Sequence, residues 1–216
     1  PRDIDVEALL VGGGFGGLLT AVRLQEAGID DIMIVDRAGD FGGTWYWNRY
    51  PGVHCDIESY IYVPLLEELG SVPSKKYAPG GEILNYAQKI GRKYGLYDKA
   101  MFRTTVNGMV WHDVAARWTL TTDRGDTIRA HFVCISPGPF PWPKLPGIEG
   151  VETFQGKAFH TSRWDYDYTG GEPGAAELNR LHDKTVGVIG TGATGLQCIP
   201  PLGRSAKHLY VFQRTP

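Results

Sequence analysis

The chain has 216 residues, 42% of them hydrophobic and 21% charged, with a formal net charge of −2. These values fit a globular protein of one large domain, or one and a half, and the lack of a basic stripe argues against nucleic acid or anionic membrane as a partner. No apolar run reaches the length needed to cross a bilayer.

The first residues enter a strand-like segment directly, with no basic leader, which does not read as a signal peptide. A strand is predicted over 5–11, a glycine turn over 12–17, a helix over 18–27 stopped by Gly28, and a second strand over 31–35. Residues 37–63 form a long loop rich in Gly, Trp, Tyr and Arg; structureless loops of that length in a compact domain are usually functional. A surface helix is predicted over 81–95. From 102 to 135 the pattern shortens to strands over 102–106, 108–112, Arg117–Thr122 and Thr127–Ile135. Turns at Asn107-Gly108 and 123–126 would make this a β-meander. Residues 137–146 have the proline content of a linker or crossing strand, and 166–182 read as an exposed polar loop. A second strand–turn–helix–strand unit follows, over Thr185–Ile189, 190–195, 193–202 and His208–Phe212. One such unit leaves two sheet edges open, so residues from 184 onward are expected to be only part of a domain. Cys55, Cys134 and Cys198 show no CxxC or CxxH spacing, which predicts neither a disulfide framework nor a metal site, and a cytoplasmic location.

Two glycine turns carry the chemistry. In the first, Gly12, Gly14 and Gly17 occupy the GxGxxG positions between a strand and a helix. Such glycines permit the tight turn, close approach of a pyrophosphate, and close helix–strand packing. Asp36 ends the next strand, where a carboxylate can bind ribose hydroxyls. The second turn repeats the signature at Gly190, Gly192 and Gly195, but its following strand ends in Gln213-Arg214-Thr215. A guanidinium in place of a carboxylate favours a 2′-phosphate, hence NADP over NAD; Arg214 as a plain solvated charge is the alternative. Two dinucleotide turns in one chain point to hydride passing from a nicotinamide to a flavin.

Gly42-Gly43-Thr44-Trp45-Tyr46-Trp47-Asn48-Arg49-Tyr50-Pro51-Gly52 lets backbone pass near a flat ring system that Trp45, Trp47 and Tyr50 can wall. The same aromatics would equally serve as core beneath the loop. Phe154, Gly156, His160, Trp164 and Asp165 lie between the two glycine turns, either coupling two domains or acting as linker residues.

Together these motifs resemble the class B flavoprotein monooxygenases, and among them the Baeyer–Villiger monooxygenases. The FxGxxxHxxxW(P/D) signature matches at Phe154, Gly156, His160, Trp164 and Asp165, flanked on both sides by GxGxxG. GGTWYWNRYPG, CDIES, VGVIGTGATGLQ and VFQRTP match as well, so the resemblance covers essentially the whole chain. It implies a Rossmann-like FAD-binding domain with a β-meander insertion over 1–150, a linker over 151–183, and the first βαβ unit of a Rossmann-like NADP domain over 184–216. FAD contacts are implied at Gly12, Gly14, Phe15, Gly17, Asp36, Arg37, Gly43, Thr44, Trp45, Asp56, Tyr62 and Val106. NADP contacts are implied at Gly190, Thr191, Gly192, Ala193, Thr194, Gly195, Gln197, Arg214 and Thr215. The implied reaction uses NADPH and O₂ to insert oxygen beside a ketone carbonyl through a C4a-peroxyflavin, giving an ester or lactone. Asp56 takes the place of the aspartate that orients an active-site arginine, and that arginine is expected in the remainder of the same enzyme, beyond Pro216. Three departures stand out: Asp36 where Glu is commoner, Pro137 where a small residue is usual, and the length of 166–182. An N- or S-oxygenating class B enzyme, or a non-catalytic FAD-binding fragment, are the competing expectations.

Overall fold

The computed structural model describes residues 1–138, 142–174 and 177–214. Its chain forms two compact units, one of Pro1–Tyr46, Val63–Val72 and Ile83–Pro141, the other of Trp47–Tyr62, Pro73–Glu82 and Trp142–Pro216.

The first unit is built on a six-stranded sheet. Strand β1 (Asp3–Val11) leads into helix α1 (Phe15–Glu26) and returns as β2 (Ile32–Val35). The loop that follows carries two single helical turns, α2 (Thr44–Trp47) and, within the second unit, α3 (Ser59–Tyr62), before α4 (Leu66–Leu69) and the longer α5 (Gly80–Lys93). Strands β3 (Ala100–Met101), β4 (Val106–His112), β5 (Arg117–Thr122) and β6 (Thr127–Ile135) complete the sheet in the order β3-β2-β1-β6-β5-β4. β3, β2, β1 and β6 run parallel, while β5 and β4 turn back antiparallel as the expected meander.

The run Ala8-Leu9-Leu10 in β1 is apolar on both sides because both faces are covered. Ala8 and Leu10 pack with Leu18, Ala21 and Val22 of α1 and with Ala87 and Ile90 of α5. Val6 and Leu9 pack on the opposite face with Val35, Leu120, Ile128 and Ala130. Each fully buried Leu or Ile in such a position contributes roughly 1.5–3 kcal/mol.

The structure departs from three sequence expectations in this unit. Residues 102–105 do not form a strand, and Val106 belongs to β4: Arg103 adopts a positive φ of 53°, and the N–H groups of Arg103 and Thr104 donate to the Ala38 and Asp36 carbonyls instead of a neighbouring strand. Asn107-Gly108 is not a turn but a register shift inside β4, between Val106 and Gly108. Glycine tolerates the irregular backbone of a bulge, so the same residues that favour hairpin turns also fit mid-strand. Helix α1 starts three positions earlier than expected because Phe15, Gly16 and Gly17 are already helical behind the N-cap Gly14.

The second unit contains β7 (Thr185–Ile189) and β8 (His208–Phe212), a parallel pair joined through α7 (Ala193–Ser205). α7 runs past its expected end near Leu202 despite Pro200 and Pro201. The stretch 166–182 is not simply an exposed loop. It holds the short helix α6 (Tyr166–Thr169) and buries Thr169, Leu178 and Leu181. Leu178 and Leu181 are three apart, so a single turn of chain brings both to one side, and the Leu178 N–H donates to Ser205 Oγ at 3.1 Å. Among the described residues no helix is long and apolar enough to cross a membrane, and no group of three His, Cys, Asp or Glu is placed to hold a metal.

Candidate functional site

In the first unit the glycine turn sits where β1 meets α1. Gly12 has φ +114°, and a Cβ there would run into the Ser136 carbonyl oxygen. A Cβ at Gly17 would meet the Gly12 carbonyl in the same way, so both glycines are required by packing alone. Gly14 is different. Its nearest neighbour is the Cα of Gly43, 3.3 Å from where a Cβ would stand, and Gly43 itself has φ +54°. The Gly42 N–H donates to the Gly13 carbonyl at 3.0 Å, which brings the second glycine pair against the first. The result is a cradle of bare backbone at the start of a helix whose N-cap has no side-chain cap. Helix N-termini leave their first N–H groups without intrahelical partners and carry positive dipole, so an anion fits there. This fits the pyrophosphate of a dinucleotide.

Asp36 closes the cradle. Its Oδ2 accepts from the Gly13 N–H and its Oδ1 accepts from the Ala38 N–H at 2.7 Å. Each oxygen keeps a lone pair, so the carboxylate is held in place with capacity left for ribose hydroxyls. Burial pushes the Arg37 guanidinium below its usual value, with Asp36 acting in the opposite sense. Behind the turn, Phe41 is fully buried and edge-packed on Tyr97 and Phe102, with ring centroids at 4.9 and 4.8 Å. Asp40 accepts from Tyr97 Oη at 2.8 Å and from Gln88 Nε2 at 3.0 Å, which pins the loop entrance. Phe15 lies edge-on to Tyr86 at 6.4 Å. Trp45 is buried, Thr44 exposed at the start of α2, and Val106 half-buried at the start of β4 against the second core. Gly12, Gly14, Gly17, Asp36 and Gly43 are thus brought together.

In the second unit the repeated turn has the same build. Gly190 has φ +104°, its N–H donates to the Phe212 carbonyl, and a Cβ at Gly195 would stand 2.5 Å from the Gly190 oxygen. Gly192 is the N-cap of α7, again with no side-chain cap. Thr191 and Thr194 are half-buried, Ala193 is exposed, and Arg214 is exposed just past the end of β8. Thr215 lies outside the described residues. Gln197 has both ends of its amide engaged: Oε1 accepts from Tyr50 Oη at 2.8 Å and from the His54 N–H at 3.2 Å, and Nε2 donates to the His54 carbonyl at 3.0 Å.

Asp56 is exposed on the turn that follows. Its flanks are fixed by the Cys55 N–H on the Ala78 carbonyl at 2.9 Å and the Ser59 N–H on the Lys76 carbonyl at 2.7 Å. Tyr62, half-buried, closes α3.

The Phe154–Asp165 signature has a local structural logic. Phe154 is exposed, and its ring covers Gly156 so closely that a Cβ there would stand 2.6 Å from it. His160 Nδ1 caps the turn Thr161–Arg163 by accepting from the Ser162 N–H at 3.2 Å, and burial, with Arg163, lowers its pKa. Trp164 donates to Thr169 Oγ1 at 3.0 Å and packs edge-on to Phe159 at 5.3 Å. Asp165 caps α6 through the Tyr168 N–H at 2.9 Å and pairs with Lys157 at 2.7 Å, which holds its carboxyl below the usual range. Sequence reasoning missed Lys157, Asp40 and the Tyr50–His54–Gln197 cluster. A basic residue beside Gly156 was the one visible sign of the Lys157–Asp165 pair, and nothing in the spacing links positions 50 and 197.

The comparisons agree with this geometry. Residues 10–69 match the model of the NAD(P)-binding Rossmann-like domain. The chain is 55% identical over its whole length to neopentalenolactone D synthase of Streptomyces avermitilis, covering 36% of that protein. It is 54% identical, again over its whole length, to a Baeyer–Villiger monooxygenase of Dietzia sp., covering 35% of it. This chain is a homologue of the Baeyer–Villiger monooxygenases. Its structure superposes on the polycyclic ketone monooxygenase of Thermothelomyces thermophila with a TM-score of 0.96 at 50% identity, over 100% of this chain and 36% of that one. OTEMO in complex with FAD and NADP matches with a TM-score of 0.87 at 34% identity, over 98% of this chain and 39% of that one. As a Baeyer–Villiger monooxygenase homologue, the chain spans about a third of the length of the curated relatives it matches.

Proposed function

We propose that this chain is the FAD-binding part, with the first βαβ unit of the NADP-binding part, of a Baeyer–Villiger monooxygenase. One observation carries the reading: two uncapped glycine turns open helices α1 and α7, one closed by the Asp36 carboxylate and the other followed by Arg214. Identity above 50% over the whole chain to proteins named for this chemistry supports it. The balanced reaction is ketone + O₂ + NADPH + H⁺ giving ester or lactone + NADP⁺ + H₂O. Flavin, when bound, supplies the electron transfer and the activation of oxygen.

The residues of this chain bind and orient. The N–H groups around Gly14 and Phe15 hold the FAD pyrophosphate, Asp36 takes the ribose hydroxyls, and Arg37 neutralises charge beside them. Gly43, Thr44, Trp45, Tyr62 and Val106 complete the FAD contacts. Gly190, Thr191, Gly192, Ala193, Thr194 and Gly195 cradle the NADP pyrophosphate, and Arg214 with Thr215 takes the 2′-phosphate. Gln197 supports that turn. Asp56 holds an arginine supplied by the remainder of the enzyme cationic and in place to stabilise developing negative charge. Phe154, Gly156, His160, Trp164 and Asp165 form the segment between the FAD-binding region, 1–150, and the NADP-binding region, from 184. The substrate is a small-molecule ketone and the location cytoplasmic.

The test is to supply the flavin-loaded protein containing this chain with NADPH, O₂ and a panel of cyclic and linear ketones. Ester or lactone forming in step with NADPH consumption is expected. Formation of N- or S-oxides alone, with no ester from any ketone, overturns the reading.

A further inference from the structure

Gln197 stands one helical turn into α7, directly after the turn proposed for NADP, yet its side chain reaches back to residues 50–54. Its amide oxygen takes the Tyr50 hydroxyl at 2.8 Å and the His54 N–H at 3.2 Å, while its amide nitrogen donates to the His54 carbonyl at 3.0 Å. One side chain therefore satisfies both polar groups of the His54 backbone, as a neighbouring strand would. The main chain is moulded to the same place. Gly52 has φ +80°, and a Cβ there would collide with the Gln197 carbonyl and lie 3.2 Å from Pro201. Tyr50 is buried, and the Thr194 hydroxyl interacts with the phenol that Gln197 accepts from. On its other side the loop is held by the Cys55 N–H on the Ala78 carbonyl and the Gly80 N–H on the Val53 carbonyl, each at 2.9 Å. Two residues beyond His54, on the same loop, stands the exposed Asp56.

We infer that Gln197 is a positioning residue that couples occupancy of the 190–195 turn to the 50–56 loop, and through that loop to the Asp56 carboxylate. The physical route is short. A phosphate held by the first N–H groups of α7 immobilises Thr194 and the turn around it. Tyr50 meets that turn at Thr194, and both Tyr50 and His54 are bonded to Gln197 in the first helical turn that continues from it, so they lose mobility with it. Coupling of this kind is reciprocal: a loop already ordered makes the turn a better phosphate site. The inference rests on the NADP reading above, and NADP⁺ itself is the probe.

The experiment is amide hydrogen exchange of the complete, FAD-loaded protein, with and without saturating NADP⁺, saturation being checked by calorimetry. In the ligand-free protein, Gln197→Ala is expected to speed exchange of the 50–56 amides by roughly tenfold, since it removes a shared partner from both His54 backbone groups. In the wild type NADP⁺ is expected to slow those amides further, and in Gln197→Ala to leave them unslowed. Gln197→Glu keeps the two acceptor contacts and loses the donor, so it is expected to fall between. Tyr50→Phe weakens the same latch from the loop side and replaces Gln197→Ala if the latter does not fold. Equal loop exchange in ligand-free wild type and Gln197→Ala overturns the latch, and equal slowing by NADP⁺ in both overturns the coupling. A wild type that shows no calorimetric NADP⁺ binding overturns the dinucleotide reading, while the ligand-free comparison still decides the latch.

Discussion

A side chain added at position 14 would enter the space where two glycine backbones pass each other. Its Cβ would stand 3.3 Å from Gly43, tighter than ordinary contact, and any larger branch would fill the cradle itself. Gly14→Val is therefore expected to yield a folded protein that loses its flavin on purification, read as loss of the visible flavin absorbance. Gly17 differs, because its Cβ would strike the Gly12 carbonyl. Gly17→Ala should destabilise the unit with or without FAD, and a thermal melt on the flavin-free protein separates the two cases. Arg214 is exposed, free to meet a ligand at the end of β8. If it holds the 2′-phosphate, Arg214→Ala should lower the preference for NADPH over NADH by roughly ten- to hundredfold, as expected for loss of a charge-assisted hydrogen bond. Steady-state kcat/KM for the two nucleotides checks this. Asp56→Ala should retain FAD while slowing turnover by about a hundredfold through misplacement of the group it orients. Unchanged turnover removes Asp56 from the reaction.

At the scale of elements, the segment from Phe154 to Thr169 shows why a sequence signature need not be a set of ligand contacts. His160 caps a turn with an unprotonated ring nitrogen, Trp164 bonds Thr169, and Asp165 caps α6 while pairing with Lys157. The pH response follows from the His160 cap. Burial and Arg163 lower its pKa from 6.5, so the folded form holds the neutral ring while the unfolded chain binds a proton first. Stability contributed by this cap is full above 6.5, the ordinary histidine value, and is lost as pH falls below it toward the lowered folded value. Urea unfolding followed by intrinsic tryptophan fluorescence should give a lower midpoint at pH ~5.5 than at pH ~7.5, and His160→Gln should flatten that difference. Asp165 responds lower on the scale. Lys157 first, and then the Tyr168 N–H, depress its pKa below 3.8, so its contribution holds at neutral pH and fades only as pH drops through that depressed value.

Across the whole molecule, β7 and β8 form a two-stranded parallel sheet with Ile189, Tyr210, Val211 and Phe212 exposed. Two strands alone are marginal in water, and parallel sheets are ordinarily covered on both faces. The relatives extend well past the share matched here, which accounts for only 36% of the first of them. A polypeptide of these residues alone is expected to retain FAD yet to oxidise no ketone with NADPH. Ketone-dependent NADPH oxidation by that polypeptide would show that it carries the full machinery.

The sequence by itself determined the features that depend on local spacing. Glycines at GxGxxG positions between an apolar strand and a helix, and a carboxylate one strand later, need only neighbouring residues to declare themselves. The parallel strands and both glycine turns were legible for that reason. Tertiary structure decided what depends on distant residues or on backbone choice. Asn107 became the extra residue of a register shift and not part of a turn, Arg103 took a positive φ with its N–H on the Ala38 carbonyl, and 166–182 buried Leu178 and Leu181. It also decided the partners of Gln197, because a hydrogen bond across 143 positions leaves no periodic trace in a sequence. Periodicity reports which face of an element is apolar; it carries no record of which distant backbone group a polar side chain will satisfy.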